Sequence, residues 1–444
     1  DLTIIQTGAL SVSSIVMGGG DLSILADGNI SISSITGTSG TVDVTSKTGT
    51  INLTSTANFG SVNLSSAGTL TATLEADTLE LTANGTINIT ESDGVTISSV
   101  TQNNLGSTFT FNTAGNLTLD SAIQTTGGNN VILRAGTDGS GVLTLNQSVT
   151  TATGTITLSG GTGVTLNEQS DLTTTGANVS LSSTSGAVTL SSESEVSVGA
   201  GLISMSASGN ITVGKLRTTN TNPLVISSSG GAVLDSGDSP LDIIATGAKL
   251  VISAANGIGS GASGGLEVQV KELDLTNTSS GTIGITETDD IVIKKISHSG
   301  GAVTIETLDG HIKVESNGIN ASAGLVTLYA AGTNSYFNLD ADITTTGGGV
   351  SITTETGDIK LTEGINVAGS GNISLTSSVG AIYTPMSAIN WLTSDGNYSH
   401  DGSETFEEKL LWALGKGKIS VNATTGQIIV ANAETSIFVP PAGK

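Results

Sequence analysis

Glu287, Asp289 and Asp290, together with Glu91 and Asp93 in a matching phrase elsewhere, come closest in type and spacing to a chemical site. Grouped carboxylates suit Ca2+, a hard cation that takes about six to eight oxygen ligands. Against this, acidic residues at the corners of a repeat are ordinarily solvated, and the glycine-rich calcium-binding nonapeptide of some β-helices does not occur. Asp235 and Asp238, in LDSGDSP, read as a turn. The chain has no cysteine, which removes disulfides and thiolate chemistry. No cofactor is expected, and calcium is the one metal the carboxylates raise.

Cleavage of a polysaccharide needs an acid and base pair of carboxylates, or acidic calcium ligands beside a Lys or Arg base. Here Arg134 and Arg217 stand apart, and His298, His311 and His400 have no evident carboxylate or serine partner in sequence. No catalytic residue is assigned, and the chain is not expected to be an enzyme. Lys294, Lys295 and Lys313, near His298 and His311, read as a solvated face, with an anionic glycan contact as the sharper alternative. Tyr329, Tyr336 and Phe337 read as aromatic packing in a wide coil, with stacking on a sugar as the alternative.

The elements that must carry these residues are short strands. A glycine, a small polar residue and two aliphatics separated by one polar residue recur along the chain. They read GNISI at 28–32, GTINL at 49–53, GSVNL at 60–64, GTINI at 85–89, GNLTL at 115–119, GTITL at 154–158, GAVTL at 186–190, GNITV at 209–213, GAVTI at 301–305 and GNISL at 371–375. Alternation with period 2 puts one face indoors and the other in water, so Ile87 and Ile89 should point inward and Asn88 outward. The glycine is expected to supply the positive backbone angle of a tight corner.

Longer segments begin at Ile123, Val149, Leu172 and Val196, which are 26, 23 and 24 residues apart. Each holds about three strand phrases. The reading is an all-β, right-handed, three-sided parallel β-helix of roughly 23-residue coils over 1–380. An internal duplication supports it. The phrase at 79–100 matches 273–296 with Glu91 over Glu287, and the phrase at 116–133 matches 337–352 with Asp120 over Asp340. The two offsets, 196 and 220, differ by about one coil.

The chain has 60 glycines and a formal net charge of −24, a balance that repels a phosphate backbone, so nucleic acid is not an expected partner. No apolar run reaches the length of a membrane-spanning helix. Outward Ser and Thr are expected to exchange hydroxyl bonds from coil to coil, and Asn29, Asn52, Asn63, Asn88, Asn116 and Asn210 to form partial amide ladders. The strand pattern starts at residue 2, which suggests that a targeting segment has been removed or that the chain is a piece of something longer.

Around Ala255 to Ile285 the run AANGIGSGASGGLEVQVKELDLTNTSSGTIGITETDDIVI resembles repeats of very large bacterial surface proteins, the filamentous-haemagglutinin-like adhesins and their β-strand-repeat relatives. The resemblance implies an extracellular, cell-surface location and a structural role as a filament or adhesin shaft, in adhesion or biofilm. Glycans or cell-surface components would be its partners. A carbohydrate-binding or carbohydrate-cleaving β-helix is the alternative.

Residues 381–444 form a unit of different style, with both tryptophans, Trp391 and Trp412. Thr405 and Glu408 make a capping box, and a helix is expected over about 406–414, followed by terminal strands. Head-to-tail polymerisation of identical chains is expected. The contact candidates are Ile4, Leu10, Val12 and Ile15 at one end, and Trp391, Trp412, Ile428, Val430 and Phe438 at the other.

Overall fold

The computed structural model describes residues 1–385 apart from 103–106, 126, 238–240, 260–264, 334 and 369–370, and beyond them the strands 411–413, 419–423 and 428–431. The chain divides into two units, Asp1–Asn220 and Thr221–Lys444. Each is a parallel β-solenoid, and the described residues contain no helix.

In the first unit three columns of strands rise in parallel. Phe109–Thr113, Val131–Ala135, Ile156–Gly160, Val179–Ser183 and Ile203–Ala207 stack in one column. Leu117–Leu119, Val142–Leu145, Gly163–Leu166, Ala187–Leu190 and Ile211–Val213 form the second. Ile123–Gln124, Val149–Thr150, Leu172–Thr173, Glu195–Ser197 and Lys215–Arg217 form the third. Three strands per turn make the solenoid three-sided. Ile123, Val149, Leu172 and Val196, the coil starts read from sequence, are direct register partners.

Coil length is not uniform. Leu2 lies over Leu22, Leu22 over Val42 and Val42 over Val62, a step of 20 residues, and Val62 over Leu79 is a step of 17. From Ile35 onward strands in these short coils run through a corner without a turn, as in Ile35–Ser46 and Leu70–Ala83. Ile51–Ser66 is one strand of 16 residues. Small buried side chains, Ser55 and Ala57, occupy the inside of its bend, where Ser55 Oγ donates to Ile35 O at 3.1 Å and accepts from Ala57 N at 3.0 Å.

The phrase glycines serve a different purpose from the one expected. Of the ten, only Gly301 has a positive φ, of 95°. Their role is close approach: a Cβ on Gly186 would fall 1.6 Å from Thr162 O, and one on Gly154 would fall 1.7 Å from Asn129 O. At these corners the backbones of successive coils lie against each other, and any side chain would push them apart.

In the second unit the stacking is the same. Val303–Thr307, Val326–Ala330, Val350–Thr354 and Ile373–Ser377 form one column, and Ile312–Val314, Phe337–Leu339, Ile359–Leu361 and Ile382–Pro385 the next. Two strands of 12 residues, Ile243–Ala254 and Leu266–Asn277, precede them.

The expected helix over 406–414 falls mostly outside the described residues. The three that are described, Leu411–Ala413, are a strand in register with Ile365–Val367. Ile419–Ala423 and Ile428–Ala431 continue the other two columns.

The core is the inward row of each strand. Ile87 and Ile89 are fully buried, stacked between Leu70 and Ala72 of one coil and Phe109 and Phe111 of the next, while Asn88 faces solvent. Ile87→Asp should therefore bury an unpaired carboxylate and cost on the order of 3–5 kcal/mol. Asn88→Ser should stay within about 0.5 kcal/mol of the parent. Unfolding midpoints of the two variants check this, and the reverse order of damage would refute the assigned register.

Candidate functional site

The polar residues that the fold buries lie at its corners. The residue two places after the second aliphatic of a strand points inward, and when it carries a hydroxyl it bonds the turn three residues on. Thr307 Oγ1 donates to Gly310 O at 2.9 Å, Thr345 Oγ1 to Gly348 O at 2.6 Å and Thr354 Oγ1 to Gly357 O at 2.6 Å. Ser46 Oγ and Ser183 Oγ accept from Gly49 N and Gly186 N, each at 3.1 Å. Inward hydroxyls thus pair turn groups that water cannot reach, while exposed ones bond a carbonyl of the preceding coil, as expected: Thr162 Oγ1 donates to Ser140 O at 2.8 Å and Thr346 Oγ1 to Ser322 O at 2.6 Å. Asparagines and aspartates at strand entries work from outside. Asn29 Oδ1 accepts from Thr50 N and Asn116 Oδ1 from Val142 N, each at 2.9 Å, so both clip one coil to the next. A side-chain ladder does occur, but through Asp120, Asn146 and Asn167, with both links 2.6 Å.

Glu91 and Glu287 occupy this same inward corner position, one in each unit. Both are buried, and each accepts the N–H of a residue in the preceding coil: Ala76 N bonds Glu91 Oε1 at 3.2 Å, and Val270 N bonds Glu287 Oε2 at 3.1 Å. Each also accepts from its own turn, Asp93 N at 2.9 Å and Thr288 N at 3.0 Å. The duplication seen in sequence therefore extends to the hydrogen bonds. Burial pushes Glu287 from 4.5 up to about 9, and Glu91, by burial and then by its hydrogen bond with Asp93, up to about 7. Glu287 is thus a neutral acid that plugs a bend.

Asp289 and Asp290 do not join it. Asp289 Oδ2 accepts from Gln269 Nε2 at 3.0 Å, and the exposed Asp290 accepts from His311 N at 2.9 Å. The lysines are paired across coils. Lys294 lies between Glu272, at 3.7 Å, and Glu315, and Lys313 lies between Glu315, at 3.2 Å, and Asp340, at 3.1 Å. The hydrogen bond to Glu315 raises the Lys294 ammonium above its ordinary value, and Lys294 in turn lowers Glu315.

His298 is buried at a corner, with Nδ1 3.1 Å from Asn277 Nδ2, and burial lowers its pKa. The expected aromatic cluster is split: Phe337 is in the core, whereas Tyr336 is partly exposed and stacks on His311 with ring centroids 3.6 Å apart. Among the contact candidates Ile15 is buried and Ile4, Leu10 and Val12 are half-buried. Trp412, Ile428 and Val430 lie in the terminal strands, and Trp391 and Phe438 lie outside the described residues.

Among the described residues, the three acidic groups that do converge are Asp235, Asp242 and Glu267, each with one oxygen within 4.8 Å of the others. Asp235 ends the strand Val233–Asp235, Asp242 directly precedes Ile243–Ala254, and Glu267 lies in the next coil, on Leu266–Asn277. The signal was present in sequence. In the alternation Val233 in, Leu234 out, Asp235 in, the aspartate takes a core position that a turn residue would not.

No known protein family, curated protein or solved structure matches the chain.

The Glu287 geometry sets a pH dependence. Its folded pKa lies above the unfolded value, so the folded state holds a proton that the unfolded state releases. Stability should fall as pH rises from 4.5 towards about 9. Glu287→Gln, which keeps an acceptor without the charge, should flatten this slope and raise stability at about pH 8 by on the order of 1 kcal/mol or more. Denaturant unfolding at about pH 5 and pH 8 reads both effects. An unchanged slope in the variant would show that Glu287 is not the titrating group.

Proposed function

We propose that this chain is a non-enzymatic structural element of an extracellular surface protein, a solenoid segment of a filament or adhesin shaft that associates head to tail. The observation that carries the reading is how the acidic and polar groups are used. Most of those placed above cap corners or clip coils together, which is the economy of a scaffold. The resemblance of residues 255–293 to surface-adhesin repeats agrees with it.

For the head-to-tail contact, the inward row of the first coil matters. Leu2 is 39% exposed while its register partner Leu22 is 1% exposed. A second copy would cover that row, as would further residues of a longer chain. Sedimentation and negative-stain imaging of the purified chain, intact and lacking 381–444, distinguish these. Assemblies formed by the intact chain and lost on truncation are the expected result. A strictly monomeric intact chain at high concentration would overturn polymerisation.

A second reading, carbohydrate binding, draws on the exposed His311–Tyr336 stack beside Lys313. Under it, Tyr336→Ala should abolish retention of the chain on an immobilised acidic polysaccharide without changing its unfolding midpoint. Equal retention of parent and variant would remove this reading.

A further inference from the structure

Asp235 is 94% buried, given its 6% exposure, and Asp242 is fully buried. Asp235 Oδ1 accepts from Gly237 N at 2.7 Å, but its Oδ2, shielded from solvent, has no hydrogen-bond partner. A buried carboxylate oxygen without a partner is costly, and Asp235 also brings one of its oxygens within 4.8 Å of oxygens from two further acids. Asp242 is held by its neighbours: its N–H donates to Glu267 O at 2.8 Å, and its Oδ2 accepts from Glu267 N at 2.9 Å. Asp242 is therefore fixed by the coil register beside Glu267, and Asp235 by its own turn.

From this geometry we propose a calcium site formed by Asp235, Asp242 and Glu267. An all-oxygen, all-carboxylate donor set selects a hard cation over zinc or copper. Calcium accepts an irregular, partly hydrated oxygen shell, whereas magnesium demands near-octahedral geometry. Glu267 is only half-buried and gives the ion its way in. The cation supplies the partner that Asp235 Oδ2 lacks and joins Asp235 and Asp242 to Glu267 of the following coil. This site is distinct from Glu287, Asp289 and Asp290, and it stands whether or not the chain polymerises.

The test is equilibrium dialysis of the full chain against radiolabelled calcium up to about 1 mM, the range of extracellular calcium modules, with unfolding followed in chelator and in calcium. The parent should bind saturably, and its unfolding midpoint should rise with calcium. Asp235→Asn should bind one calcium fewer per chain and lose the rise, while being no less stable than the parent in chelator, since it relieves repulsion. The double variant Asp289→Asn/Asp290→Asn should bind as the parent does. If Asp235→Asn fails to fold, Glu267→Gln, at the half-buried position, makes the same comparison. Equal calcium stoichiometry in the parent and the site variant, or no saturable binding by the parent, would overturn the proposal. A midpoint that rises equally with magnesium and calcium would also overturn it, as general screening of the acidic surface.

Discussion

A solenoid of this kind depends on satisfying the backbone at its corners. Along the flat faces each N–H and C=O finds a partner in the next coil without help from side chains. Where the chain turns, that ladder continues only in part, with bonds such as Gly28 N to Gly8 O and Ser185 N to Gly161 O, and the remaining groups facing the dry interior would be left unpaired at a cost of about 1–3 kcal/mol each. The chain meets this with an inward hydroxyl, as at Thr307, Thr345 and Thr354, with an amide at Asn277, which donates to Ser280 O at 2.8 Å, or with a carboxyl at Glu91 and Glu287. Thr307, Thr345, Thr354 and Asn277 serve their own turns, whereas Glu91 and Glu287 also reach back to an N–H within a long strand of the preceding coil, Leu70–Ala83 and Leu266–Asn277.

Charge is deployed in the same spirit. With a net charge of −24, the chain would repel itself between stacked coils if acids lay over acids. In the second unit lysines stand between acids: Lys294 contacts Glu272 and Glu315 of the coils on either side, and Lys313 contacts Glu315, two residues along its own coil, and Asp340 of the next. Half-exposed pairs of this sort contribute only about 0.2–1 kcal/mol each.

Much of this was legible in the sequence, because period-2 alternation and coil spacing are local patterns. Ile87, Ile89 and Asn88 took their expected faces, and Ile123, Val149, Leu172 and Val196 fell into direct register. What was not legible depended on the third dimension. The need for glycine at 154 and 186 comes from a carbonyl of the preceding coil, roughly one coil away in sequence. The inward role of Ser46 or Thr354 was hidden by the abundance of Ser and Thr on the outer face, although a hydroxyl three residues before a glycine marks it at 46–49, 183–186 and 354–357. Asp235, Asp242 and Glu267 are brought together by stacking alone, and their spacing in the chain matches no linear metal motif.

The register of the last coils has one more consequence. Ile365, Ile373 and Ile382 each lie over a residue 46 positions later, Leu411, Ile419 and Ile428, whereas the step just before, from Ile359 to Ile382, is 23. The stack therefore keeps its phase across a segment twice the usual length. Residues added at a corner are silent to the fold, whereas a single residue added within Ile373–Ser377 would exchange its inner and outer faces. Chain length is a free variable at the vertices of this solenoid and a quantised one along its edges, so its vertices are where new sequence can be acquired without a new fold.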